Sequence, residues 1–231
     1  MSVALPFVSE RLSQMNKIFE RIYEQNIWGN AESRSGDGSD ELGTEQVRKG
    51  LASLLEQLKI KSMVDVPAGD FNWMRLIDLS GISYLGGDIV PDLIERNQAK
   101  YGQTNVEFRL LDARVDPIPK VDLIFCRDML VHFSYSDCWL ALANFQRSGS
   151  AFLLTTTFTA RDPNRNIATG EWRPLNLQRP PFSFPRPSKL IVECCSEWNG
   201  YWADKCLGLW HFTDLSSSLE KGLFCKSGLC V

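Results

Sequence analysis

The sequence predicts an α/β fold built on a mostly parallel sheet with helices on both faces. Three observations carry this. Short apolar runs alternate with helical patterns through the middle of the chain, as successive β-α units require. The run ending at Val66 leads into a turn with a single glycine, Pro67-Ala68-Gly69-Asp70, and a second run about 20 residues on ends in a carboxylate, Asp88. Two late apolar runs, Leu190–Cys195 and Leu207–Phe212, flank a Trp198-Asn199-Gly200-Tyr201-Trp202 turn, which marks an antiparallel pair at a sheet edge.

In chain order, Met15, Ile18, Phe19, Ile22 and Trp28 fall at helical spacing within residues 9–28. Residues 29–43 are rich in Gly, Ser and Asp and read as a loop. Val47, Leu51, Leu54, Leu55 and Leu58 restore a helix over 45–58. Strands are expected at Ser62–Val66, Tyr84–Asp88, Val106–Leu110, Val121–Cys126 and Ala151–Thr157. Helices are expected between them, near 70–79, 91–101 and 136–147. Six prolines within 158–189 then forbid a long helix. The tail after Thr213 is weakly patterned and is expected to be poorly ordered. The chain divides into an N-terminal helical cap with a Ser/Gly lid loop (1–44), a core domain with its proline-rich segment (45–212) and a tail (213–231).

With 231 residues, 44% of them hydrophobic, the chain can build one substantial core. Its formal net charge of −3 gives no general pull towards nucleic acid or membranes. No apolar stretch approaches ~18 residues, so no membrane-spanning helix is expected. Met1 to Pro6 lacks the basic start and apolar stretch of a signal peptide. Seven cysteines, an odd number without a C-x-x-C pair, accompany only His132 and His211. That argues against a metal site and for reduced cytoplasmic thiols buried as small hydrophobes.

The Asp65-to-Asp88 unit is how a Rossmann-like sheet holds a nucleoside: a tight turn admits the ligand and the second carboxylate accepts ribose hydroxyls. Pyrophosphate binders need a G-x-G-x-x-G turn, whose bare backbone N–H groups meet phosphate oxygens. Here one glycine remains, and Asp70 adds negative charge where a phosphate would sit. A cationic ligand fits better, and S-adenosylmethionine, a sulfonium with an ammonium group and no phosphate, is the expected cofactor. The bland reading of Asp88 is a helix cap, although Asp92 lies closer to the helix.

The order of elements over residues 45–212 resembles the class I S-adenosylmethionine-dependent methyltransferases. The resemblance implies that Asp65, Pro67, Ala68 and Gly69 hold the methionine part of the cofactor and Asp88 the ribose. It implies an adenine contact at Asp112, with Ala113 beside it, and a reaction centre at Cys126, Arg127 and Asp128. Two departures stand out. Pro67 and Phe71 replace the first and third glycines of the usual turn, and the proline-rich segment replaces a helix. More narrowly, Trp28 with Glu32 to Ser39, Cys126 to His132, Trp172 to Leu177 and Pro180-Pro181-Phe182 resemble an uncharacterised bacterial-type branch of that family.

His132 follows the fourth strand on the ligand-binding side and suits proton removal, its ordinary pKa lying near 6.5. The alternative is a histidine bonded to backbone that shapes its loop. Asp128 is the rival base or a helix cap, and Arg127 its counter-charge or an anion holder. Trp28, Ser35, Gly36, Gly38 and Ser39 read as a lid over the cofactor or, on composition alone, as a linker. Segment 158–188 sets five arginines against two carboxylates among aromatics. Arg173, Trp172 and Asn176 are therefore candidates for a small, anionic or sugar-like acceptor, against a merely solvated loop. Without a continuous basic stripe, nucleic acid is a poor candidate. The function expected is methyl transfer to a small or medium polar acceptor, favouring oxygen because of His132. The competing readings are a non-catalytic scaffold with this fold and an NAD-dependent oxidoreductase.

Overall fold

The computed structural model describes residues 6–195 and 200–226. Seven strands form one sheet in the order β3-β2-β1-β4-β5-β7-β6. They are β1 (Ser62–Asp65), β2 (Ser83–Asp88), β3 (Val106–Leu110), β4 (Leu123–Cys126), β5 (Phe152–Phe158), β6 (Lys189–Val192) and β7 (Lys205–His211). β1 to β5 run parallel, and β7 lies antiparallel between β5 and β6. The expected parallel sheet with its antiparallel closing pair is present. Trp198 and Asn199 of the expected turn lie outside the described residues.

The helices are α1 (Pro6–Glu24), α2 (Glu45–Gln57), α3 (Pro91–Tyr101), α4 (Tyr135–Arg147) and α5 (Phe212–Lys226). Val47, Leu51, Leu54 and Leu55 of α2 and Leu93 and Ile94 of α3 pack on one face of the sheet, against Met63, Tyr84 and Phe125. On the other face, Cys138, Trp139, Leu142 and Phe145 of α4 and Leu215 and Leu219 of α5 cover Val64, Ile124 and Leu153. Both faces being covered explains why β4 reads as an unbroken apolar run. Local chemistry fixes two helix starts. Pro91 sits in the first turn of α3, and the Ser134 hydroxyl accepts the Asp137 N–H (3.2 Å) at the start of α4. No described helix is long and apolar enough to cross a membrane.

Two expectations fail for identifiable reasons, and the solvated-loop alternative for the proline-rich segment holds only in part. Residues 70–79 form turns and one 3-10 turn, Met74–Leu76, because Phe71 takes a left-handed conformation (φ 58°). Asp70 is also occupied there by side-chain and backbone donors. The tail forms α5, since Leu215 and Leu219 find the α4 face and are almost wholly buried. Residues 227–231 of that tail lie outside the described part. Part of the proline-rich segment enters the core, while Arg165, Arg179 and Arg186 stay exposed. Leu175, Leu177, Phe182 and Phe184 are buried in the α4–α5 layer, and Phe182 packs against Trp139 at 4.9 Å between centroids.

Candidate active site

The strand order reverses between β1 and β4, and a cleft opens there at the carboxyl ends of the strands, where open α/β sheets bind ligands. Its space is about 1080 Å³, the open mouth included. The lining comes from the Asp65 to Trp73 turn, the Asp88 to Val90 end of β2, Leu111 and Ala113 after β3, and Arg127 to Met129 after β4. Met15, Phe19, Ile22 and Tyr23 of α1 lie across it.

The glycine turn is held by the carboxylate it was expected to accompany. Gly69 is left-handed (φ 55°), and its N–H donates to Asp88 Oδ2 at 3.1 Å. Its carbonyl accepts from Asn97 Nδ2 at 2.7 Å. A Cβ at this position would run into the Ser35 hydroxyl. Asp88 Oδ1 also accepts the Val90 N–H at 3.1 Å, so the carboxylate orders both the turn and the entry to α3. Asp65, 3% exposed, accepts the Tyr84 hydroxyl at 2.6 Å. Burial pushes the Asp65 carboxyl up to about 8, opposed by the Tyr84 bond and reinforced by the charge of Asp88. Burial likewise pushes Asp88 up to about 6, against the N–H bonds of Val90 and Gly69. Two desolvated acids held by neutral donors make this end of the cleft a site for hydroxyls and cations.

The segment before α2 closes over that turn. The Ser33 hydroxyl and the Arg34 N–H donate to Asp70 Oδ2 at 3.0 and 2.8 Å. The Asp70 N–H donates to Ser35 Oγ at 3.3 Å, and Asn72 Nδ2 to the Ser39 carbonyl at 3.2 Å. At the far end the Trp28 ring stacks on His132, with centroids 4.9 Å apart. Gly36 (φ 91°) backs Trp28, where a Cβ would come within 3.2 Å. Trp28, Ser35 and Ser39 line the cleft, whereas Gly38 sits off the lining in a 3-10 turn.

On the reaction side, His132 Nδ1 lies 3.0 Å from the Glu171 carbonyl. A carbonyl only accepts, so Nδ1 carries the proton and Nε2 the free lone pair. Burial lowers the His132 pKa from its ordinary value, although the charge of Asp128 and the Glu171 bond oppose this. The neutral ring is therefore the resident form at neutral pH. Asp128 is left-handed (φ 56°) and its N–H donates to Thr156 Oγ1 at 2.9 Å. Its carboxylate meets Lys205 Nζ at 2.7 Å and Arg127 at 3.4 Å. These cations outweigh its burial and hold it well below the usual carboxylate range. Arg127 in turn pairs with buried Glu193 at 2.7 Å, and Lys205 reaches the same acid at 3.3 Å. Of the two candidate bases, His132 has a free Nε2 lone pair, whereas Asp128 is held ionised by Lys205 and Arg127.

Several candidates sit elsewhere. Both Asp112 oxygens are taken by Arg114 (2.8–3.0 Å), so its carboxylate faces that guanidinium, while Leu111 and Ala113 line the cleft. Cys126 is wholly buried and packs in the core. Arg173, also wholly buried, donates to the carbonyls of Leu130 (2.7 Å), Phe133 (2.9 Å) and Arg165 (3.1 Å). It fastens the proline-rich segment beneath the His132 loop and does not reach an acceptor. Asn176 binds the Thr159 and Arg161 carbonyls, and Trp172 packs on Trp202 at 4.7 Å. None of the three lines the cleft.

Sequence reading missed Ser33, Arg34 and Asp70 as a latch, Trp73 as a cleft wall, and Lys205 with Glu193 as partners of Asp128 and Arg127. The available signal was Glu193 itself, an acid inside an apolar run.

No protein-family model and no curated protein sequence matches the chain. Solved structures do. One is a 1,6-didemethyltoxoflavin-N1-methyltransferase of Burkholderia thailandensis with bound 1,6-didemethyltoxoflavin and S-adenosylhomocysteine. It is 15% identical with a TM-score of 0.57, over 91% of this chain and 92% of that one. Another is the magnesium protoporphyrin IX methyltransferase of Synechocystis PCC 6803 with bound S-adenosylmethionine. It is 14% identical with a TM-score of 0.50, over 73% of this chain and 82% of that one. The strand order, the closing antiparallel pair and these likenesses together give the chain the Rossmann-like fold of class I methyltransferases.

Proposed function

We propose that the protein is an S-adenosylmethionine-dependent methyltransferase acting on a small acceptor whose proton is removed by His132. One observation carries the reading. Two buried carboxylates, Asp65 and Asp88, flank a left-handed glycine under a docked lid, with a neutral histidine across the same cleft. The donor set fits the cofactor. Asp88 offers acceptor oxygens to a ribose, Asp65 offers a buried carboxyl whose ionisation a bound cation would favour, and Ile89, Leu111, Ala113 and Met129 give an apolar slot for a base. The likeness to structures holding S-adenosylmethionine and S-adenosylhomocysteine supports the same choice.

Bound there, the cofactor supplies an electrophilic methyl group on a sulfonium. The chain supplies the rest. The described part of the N-terminal segment, 6–44, acts as cap and lid over a catalytic domain built on the seven-stranded sheet, excluding water once Ser33 and Arg34 engage Asp70. His132 takes the acceptor proton at Nε2, with Nδ1 anchored on Glu171. Asp128, kept ionised by Lys205 and Arg127, favours the imidazolium that results. A hydroxyl gains most from such a base, so O-methylation is favoured, although the Burkholderia enzyme is an N1-methyltransferase. The acidic turn disfavours the pyrophosphate of NAD.

Thermal melting in the presence of S-adenosylhomocysteine or NAD tests the proposal. A rise in Tm with S-adenosylhomocysteine alone is expected. A rise with NAD alone transfers the site to an oxidoreductase, and no shift with either moves the scaffold reading forward.

A further inference from the structure

The cleft has no cation to spare for an acceptor. Its lining cations among the described residues are Arg127 and Arg34. Arg127 is paired with Glu193 and Asp128. Arg34 donates to the Tyr23 and Glu24 carbonyls at the end of α1. Lys205, behind Asp128, divides itself between that residue and Glu193. The four charges Arg127, Asp128, Lys205 and Glu193 balance. An acceptor carboxylate or phosphate entering here would lose water and gain no partner.

The walls around the base are aromatic instead. Trp28 stacks on the imidazole of His132. Trp73 carries the Arg127 guanidinium over its ring at 5.5 Å, and Phe133, next to His132, packs on Phe19 of α1. All six side chains line the same cleft, under a docked lid that limits acceptor size.

Building on the methyltransferase reading, we infer that the acceptor is a small neutral aromatic or heteroaromatic compound bearing a weakly acidic hydroxyl. Its ring packs among Trp28, Trp73 and Phe133, and its hydroxyl faces His132 Nε2. The acceptor's O–H bond breaks and the proton passes to Nε2. The oxygen forms the new O–CH3 bond while the S–CH3 bond of the sulfonium donor breaks, leaving that electron pair on sulfur. The imidazolium then releases its proton to solvent. This choice replaces the anionic or sugar-like acceptor expected from the arginines of the proline-rich segment, because Arg173 is spent on backbone carbonyls.

The test is calorimetry on the protein saturated with S-adenosylhomocysteine, using 2-naphthol, 2-naphthoate and 2-naphthyl phosphate, which share one ring system. 2-Naphthol is expected to bind at least tenfold more tightly than either anion, a difference of about 1.4 kcal/mol. Trp28→Leu should weaken 2-naphthol binding several-fold and Trp28→Phe restore part of it, because the ring packs on Trp28. Equal or tighter binding of an anion overturns the inference, as does no binding of any probe to protein that holds S-adenosylhomocysteine. Failure to bind S-adenosylhomocysteine at all overturns the methyltransferase reading itself, and is seen before any probe is added.

Discussion

Replacing Asp65 by Asn should stabilise the ligand-free protein at neutral pH. The side chain is 3% exposed, and its one hydrogen-bond donor is the Tyr84 hydroxyl, which an Asn oxygen accepts equally well. Burial raises the carboxyl from 3.8 to about 8, so the folded state prefers the protonated form. The sign follows from linkage. A group whose folded pKa lies above its unfolded value contributes its full stability below the unfolded value and loses it as pH rises through the folded one. Between pH 4 and 8 the folded protein binds more protons here than the unfolded chain. Over that window ionising Asp65 costs on the order of 5 kcal/mol, and on the order of 4 kcal/mol is already lost at pH 7. Urea unfolding of wild type and Asp65→Asn at pH 5 and pH 8.5 measures it. Asp88 titrates in both proteins, so their difference isolates Asp65. The variant should gain several kcal/mol on wild type between the two pH values. Parallel stability–pH curves would refute the claim that burial holds Asp65 protonated.

The other expectations concern the base, the lid and the support beneath them. His132 should titrate below 6.5, with Nδ1 protonated and Nε2 bare at pH 7, as read from ring-nitrogen NMR shifts. A doubly protonated ring at pH 7 would remove its role as base. Ser33→Ala deletes one donor to the Asp70 latch, worth ~1 kcal/mol, and should speed S-adenosylhomocysteine release several-fold in stopped-flow fluorescence; an unchanged rate would mean the segment is no lid. Arg173→Met removes the guanidinium from the carbonyls of Leu130, Phe133 and Arg165 and should cost ~3 kcal/mol or more in urea unfolding. The folded fraction should keep its S-adenosylhomocysteine affinity, whereas a selective loss of affinity would place Arg173 in the site after all.

The legible part of this protein is the part with short-range causes. Asp65, Gly69 and Asp88 lie on adjacent strands joined by one crossover, so their spacing in the chain already fixes their spacing in the fold. The same holds for α3, which starts at its proline. The Asp112 carboxylate faces Arg114, only two residues on, a local pair that fold-level correspondence does not show. The reaction-side network was hidden for a different reason. Lys205 is 77 residues from Asp128, and Glu193 is 66 from Arg127, so no local pattern links them. The proline-rich segment misled because dense proline and arginine suggest an exposed loop. Its buried stretch, Arg173 and Leu175 to Leu177, carries only two aliphatic residues, too short a run to read as core.

The central claim is that the Asp65–Gly69–Asp88 cleft holds an adenosyl cofactor. Isothermal titration of S-adenosylhomocysteine into wild type and Asp88→Ala tests it most directly. The account predicts micromolar binding by wild type and a loss of about 2 kcal/mol or more in the variant, since Asp88 both orders the Gly69 turn and receives the ribose. Folded wild type that binds nothing, or an Asp88→Ala variant that binds equally well, would contradict it.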